Sequence, residues 1–178
     1  MQIHYPDLPS RKKPIKKTVN QVVLFVLGRA LQSLSKTDPL IRAEMANWPE
    51  GFTLVMDILP KGGSLAVKRQ PDQSLRYLGT KFPADQSDVA IHINDVESAF
   101  KMFTGQLGSD IAYARHAISA KADLSYTVSV VRVINVVETY LFPRFISSKL
   151  MKETPPIPGW RLHLLRLKTY TLGVLFGI

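Results

Sequence analysis

Apolar residues in the first part of the chain recur at the spacing of an α-helix. From Val19 to Leu34 they fall at i, i+3, i+4, i+7, i+8, i+11, i+12 and i+15, which places them on one helix face. Thr18 is a suitable N-cap, so we expect the helix to begin there. Asp38-Pro39 predicts the start of a second, short helix that ends near Asn47. The side chains that this second helix would turn inward are Leu40, Ile41 and Met45.

After residue 51 the pattern changes to a two-residue alternation of apolar and polar positions, the period of a β-strand. Turn residues such as Pro60-Lys61-Gly62-Gly63 separate the segments, and short connections of this kind join antiparallel strands. A helix capped by Asn94 or Asp95 and a short helix from Asp110 to Arg115 precede the last segment. We therefore expect an α+β fold, a five-stranded, mostly antiparallel sheet with helices packed on it. The predicted strands are 52–59, 65–68, 75–79, 89–93 and 116–122.

The run LSYTVSVVRVINVVETYLF, which begins at Leu124, is apolar and rich in β-branched residues. Periodicity alone leaves helix and strand open for such a run. We favour a helix because Val128, Val131, Asn135 and Glu138 separate into faces at helical spacing. Pro143 would break or kink it.

The chain ends in a proline-rich linker, MKETPPIP, and the segment WRLHLLRLKTYTLGVLFGI, whose last ten residues are uncharged. As a helix, ten residues span about 15 Å, half of a membrane's hydrocarbon core. The segment could therefore lie in the membrane interface, with Trp160 and Tyr170 at headgroup level. The alternative is a helix that folds back on the domain or pairs with a partner. Both remain open.

The net charge of +9 is concentrated at the two ends of the chain. Residues 1–17 hold five basic residues and one acid, residues 144–178 hold six and one, and the middle holds twelve of each sign. Basic ends on a neutral body predict contact with a polyanion, either an anionic membrane surface or nucleic acid. The residues expected to contact the membrane are Lys12, Lys13, Trp160, Arg161, Arg166 and Lys168.

Catalytic and metal-binding patterns are absent from the sequence. There is no cysteine, the four histidines are scattered, and no zinc-protease helix, nucleophile elbow or P-loop occurs. Asp95 and Glu97 stand where carboxylates serve a helix N-terminus. We therefore expect no enzyme activity, no metal and no cofactor. Gly105-Gln106-Leu107-Gly108 formally matches an RNA-binding loop, but its middle residues are uncharged, so nucleic-acid binding is only a lesser hypothesis.

Two stretches, VAIHIND and FKMFTGQLGSDIAYARHAISAKADLS, resemble the sterol carrier protein family, also called non-specific lipid transfer proteins. Thr104-Gly105 match the turn that ends a helix in that family. Ala112-Tyr113 match its following short helix, and Asp123 matches an acidic or amide position after the next strand. His116 and Ala122 stand where the family has glycines.

The resemblance covers about residues 20–140. It implies a five-stranded sheet and helices that enclose an apolar tunnel for acyl, sterol or isoprenoid lipids, without catalysis. Bacterial relatives with this domain include accessory factors of ubiquinone biosynthesis. The resemblance therefore also allows an accessory or scaffold role beside biosynthetic enzymes.

A lipid pocket should be concave and mostly apolar, and the predicted elements supply such a lining. We divide the chain into a basic arm (1–17), a lipid-binding domain (18–150), and a linker with a C-terminal helix (151–178). The expected function is a cytoplasmic lipid carrier, peripheral at the inner membrane face. The candidate lining residues are Val23, Val26, Leu27, Leu54, Met56, Phe100, Phe103, Tyr113, Val128 and Val131.

Overall fold

The computed structural model describes residues 14–141 and Leu165. Five α-helices, five β-strands and one 3₁₀ turn lie within this part of the chain. In chain order they are α1 Pro14–Thr37, α2 Pro39–Glu44, β1 Thr53–Ile58, β2 Gly63–Arg69, β3 Leu75–Gly79, the 3₁₀ turn Ala84–Gln86, β4 Val89–Ile93, α3 Val96–Phe103, α4 Ser109–Ala114, β5 Ile118–Lys121 and α5 Leu124–Leu141.

The strands form one mixed sheet in the order β3-β2-β1-β4-β5. The pairs β1–β2, β2–β3 and β4–β5 are antiparallel, and β1–β4 is parallel. The fold is therefore α+β with a mostly antiparallel sheet, as the alternation of apolar and polar residues predicts. The single parallel pair arises because the chain crosses from the β2–β3 side of β1 to its other edge before β4.

The helices cover one face of the sheet. Leu54, Met56 and Ile58 of β1 point into a core shared with the helices, while Asp57 lies on the opposite face. The first helix, α1, packs on β2 and β3, and α5 packs on α1 and α2. Gly28 permits the close approach of α1 to the sheet, because a Cβ there would lie 2.5 Å from the Tyr77 ring.

The first two helices differ from the prediction in two respects. Helix α1 begins at Pro14, and the Thr18 hydroxyl donates to the Pro14 carbonyl inside the helix, so Thr18 is not its N-cap. Proline is well suited to a first helical turn. Residues 14–17 therefore belong to α1, and not to the basic arm that was predicted for residues 1–17. The second helix is capped by Asp38 as predicted, but ends at Glu44.

Leu40 is 39% exposed, whereas Ile41 and Met45 are buried, so the prediction of an inward Leu40 is wrong. The Asp38 carboxylate accepts from the Leu40 backbone N–H, which fixes the rotation of this short helix. With that rotation Ile41 faces the core and its neighbour Leu40 does not.

The apolar run after residue 123 is a helix, as expected from its separable faces. Val130, Val133, Val137 and Tyr140 of α5 are fully buried. The helix α3 is capped by Asp95, whose side chain accepts from the Ser98 backbone N–H. Over residues 14–141, no helix is long and apolar enough to cross a membrane.

Candidate functional site

The helix-facing side of the sheet opens towards its β5 edge. Met56 pairs with Leu65 on one side and Ile91 on the other, and Ile91 pairs with Ala120. Along this row the exposure is 0% at Leu65, 7% at Met56 and 6% at Ile91, and Ala120 is exposed. The adjacent row of Val67, Leu54 and Val89 is 0–1% exposed. The inner residues of this row are therefore buried, and the row becomes exposed only at Ala120, on the edge strand β5.

A second partly open apolar region lies where α1 meets α3. Val23 and Val26 of α1 are partly buried and pack against the core. Phe100 of α3 is also partly buried, while Leu27 and Phe103 are 2% and 8% exposed. With Leu54 and Met56, these residues bring the predicted lining from α1, β1 and α3 onto one side of the sheet.

Three of the predicted lining residues lie elsewhere. Tyr113 is 68% exposed on α4, and Val128 and Val131 are 42% and 43% exposed. Leu124, Val128 and Val131 follow one another at i, i+4 and i+7, on the face of α5 opposite its buried valines. Because α5 uses its other face to pack on α1 and α2, the described structure does not bring these residues together with Val23 and Phe100.

Polar groups lie beside the α1–α3 contact. The Lys16 ammonium donates to both Glu97 carboxylate oxygens, at 2.6 and 2.8 Å, and lies 5.1 Å from the centre of the Phe100 ring. Asn20, one turn after Lys16, donates from Nδ2 to the Val96 carbonyl at 3.0 Å. The hydrophobic pattern of the sequence does not predict this group. The sequence feature that could have revealed it is the position of Asn20. This residue precedes Leu24 and Leu27 by four and seven residues and therefore lies on the apolar face of α1.

The other face of the sheet is polar near its centre. His92 lies on it, and its Nδ1 is 2.6 Å from Asp57 Oδ1 on the neighbouring strand. Ser64 and Ser119 pair with Asp57 and His92 in the same row. A cleft of about 570 Å³ beside the β1–β2 turn includes Asp57, Lys61 and Ser64 in its lining. Within residues 14–141 no group of side chains has the composition of a metal site.

The predicted membrane contacts Lys12, Lys13, Trp160, Arg161, Arg166 and Lys168 lie outside the described residues. Leu165 is described: its backbone is helical and its partly buried side chain packs against the core. The rest of the C-terminal segment lies outside the described residues.

No family model matches this chain, and no curated protein matches it. Among solved structures, the chain is similar in fold to sterol carrier protein domains. One is the ubiquinone synthesis protein UbiJ-SCP2, at 14% identity and a TM-score of 0.42, over 70% of this chain and 100% of that one. Another is sterol carrier protein domain 2 of Helicoverpa armigera, at 12% identity and a TM-score of 0.44, over 72% and 94%. A third is palmitated SCP2L2 from Aedes aegypti, at 16% identity and a TM-score of 0.38, over 63% and 93%.

Proposed function

We propose that this protein is a non-catalytic lipid carrier. It would hold a sterol-like, acyl or isoprenoid-quinone lipid between α1, α3 and the open side of the sheet. The observations that support this proposal are the partial exposure of the predicted lining residues Val23, Val26 and Phe100 and the exposed position of Ala120, at the β5 end of the row that runs through Met56 and Ile91.

A lipid chain would gain affinity by covering the partly exposed apolar side chains. Val23 and Val26 of α1 and Phe100 of α3 are the residues of the predicted lining that are only partly buried. Transfer of one methylene from water contributes about 0.8 kcal/mol, so ten contribute roughly 8 kcal/mol before the costs of association. Such binding needs no ionic contact, in accordance with the apolar lining.

The position at a membrane surface is part of the same proposal. The basic residues at the two ends of the chain would contact the anionic lipids of the inner membrane face, while the neutral domain exchanges its ligand. A charged patch near an anionic surface contributes about 1 kcal/mol per basic residue. The protein would then work as a cytoplasmic, peripheral carrier.

A second candidate is an accessory role in a complex of biosynthetic enzymes, such as those that make ubiquinone. The exposed stripe of Leu124, Val128 and Val131 on α5 favours it, because apolar residues aligned on one outward helix face are typical of protein contacts. In that case the lipid would be presented to a docked enzyme instead of exchanged with a membrane.

The test compares two adjacent valines of α1. Val23 packs against the core, whereas Val22 is 55% exposed. Native mass spectrometry of gently purified protein should find lipid on the wild type and on Val22→Asp, and a loss of at least tenfold on Val23→Asp. Equal lipid content in both variants, with both folded, would remove the proposed site.

A further inference from the structure

Asn20 is a polar residue in an apolar position, on the face of α1 that carries Leu24 and Leu27. It is fully buried, at 0% exposure. Its Nδ2 donates to the backbone carbonyl of Val96 on α3 at 3.0 Å. Because a carbonyl can only accept, this bond determines which end of the side-chain amide is the nitrogen. The position of Oδ1 is thereby fixed as well.

The Oδ1 atom of Asn20 has no hydrogen-bond partner among residues 14–141 and Leu165. A buried acceptor without a donor destabilises the fold, and a leucine of similar size would avoid that loss. Lys16, one turn earlier on α1, already donates to both oxygens of Glu97. The Lys16 ammonium is therefore engaged elsewhere, and Asn20 Oδ1, which is closed to solvent, has no donor from the described residues.

Asn20 adjoins the partly open residues of the α1–α3 contact. Val23 follows it by three residues on the same helix. Phe100 follows Val96, the residue that holds the Asn20 amide, by one turn of α3. Both Val23 and Phe100 retain exposure. A lipid that covers them would place its polar end near Asn20.

We infer that Asn20 Oδ1 accepts a hydrogen bond from the hydroxyl of a bound lipid, so that the site selects lipids with a neutral hydroxyl head. This inference rests on the proposed lipid-carrier function and adds the class of ligand. An ionised carboxylate has no hydrogen to donate. A quinone, an ester or a hydrocarbon also lacks the donor. Sterols, prenols and hydroquinones carry it.

The test uses farnesol and farnesyl methyl ether, because the ether has the same chain and oxygen but no hydroxyl hydrogen. Titration calorimetry of the full-length protein should show that farnesol binds about tenfold more tightly, which corresponds to about 1.4 kcal/mol. In Asn20→Leu the ether should bind as in the wild type and the preference should disappear. The control Asn47→Leu, at an exposed position, should keep it.

Equal affinities of the wild type for the alcohol and the ether would overturn the inference, because a buried water that satisfies Oδ1 gives that result. A preference that survives in Asn20→Leu would also overturn it. Asn20→Ala provides the same comparison where the leucine variant does not fold. Failure of the proposed lipid-carrier function gives a different result from failure of this inference alone, because the wild type would then bind neither farnesol nor its ether. That result would overturn both.

Discussion

His116 adopts a backbone conformation that side chains other than glycine seldom adopt. Its φ is 55°, and the left-handed region costs an L-residue roughly 1–2 kcal/mol. Its carbonyl accepts from the Asn94 side chain, which helps to hold the turn between α4 and β5. The alternation of residues in the sequence predicts that β5 begins at His116. Because this turn includes His116, the strand begins at Ile118.

Replacing His116 by glycine should therefore leave stability unchanged or raise it by up to about 1 kcal/mol, because glycine adopts positive φ without strain. Urea unfolding measures the difference. The adjacent residue Arg115 has a φ of −90°, so Arg115→Gly should instead destabilise the protein. A clear loss of stability in His116→Gly would contradict this account of the turn.

Glu138 makes the stability of the fold depend on pH. It lies on α5 in a partly buried position, and burial raises the pKa of its carboxyl from 4.5 to about 7. The folded protein therefore holds the proton more tightly than the unfolded chain does. The resulting stabilisation is complete below about pH 4.5 and is lost as the pH rises through 7.

Glu138→Gln should remove the loss of stability that accompanies a rise in pH, since glutamine stays neutral. Chemical unfolding at pH 5 and pH 8 measures the free energy of unfolding of the variant and of the wild type. The variant should exceed the wild type by more at pH 8 than at pH 5. Glu50→Gln, at an exposed position, serves as the control and should show no such difference. A gain that is the same at both pH values would mean that Glu138 ionises normally.

At the scale of elements, Asp38 joins three helices. It follows the last residue of α1, its carboxylate accepts from the Leu40 backbone N–H at 2.7 Å to cap α2, and it accepts from the buried Tyr140 hydroxyl of α5. Asp38 is 0% exposed. One side chain therefore fixes the start of α2 and its position against α5.

Asp38→Ala should destabilise the protein by about 2–4 kcal/mol, because it removes an N-cap and leaves the Tyr140 hydroxyl without this acceptor. Tyr140→Phe should cost about 1 kcal/mol. In a double-mutant cycle by urea unfolding, the combined variant should lose less stability than the sum of the two. Strict additivity would show that the Asp38–Tyr140 contact contributes nothing.

At the scale of the whole molecule, Leu165 connects the C-terminal segment with the domain, since its partly buried side chain packs against the core. Leu165→Asp should lower the free energy of unfolding by about 1–2 kcal/mol. Leu40→Asp, at an exposed leucine, should change it by less than about 0.5 kcal/mol. If Leu165→Asp reduces liposome binding without changing stability, the segment is a membrane anchor and does not pack on the domain.

Much of the fold was predictable because it depends on neighbours in the sequence. The bounds of β3 and β4, the turn after β1 and the Asp38 and Asp95 caps follow from local alternation and turn residues. The helix α5 follows from separable faces over 18 residues. The site was predictable only in part: Val23, Val26 and Phe100 are partly buried on α1 and α3, but Tyr113, Val128 and Val131 are exposed on α4 and α5.

The sequence by itself determined the periods, the turns and the distribution of charge, and these limit the protein to one sheet covered by helices. The tertiary structure alone decided that Asn20 bonds Val96 and that Asp57 meets His92. These contacts join residues 76 and 35 positions apart. Periodicity describes a residue's neighbours within a few turns, and burial between distant segments depends on how helices and strands pack.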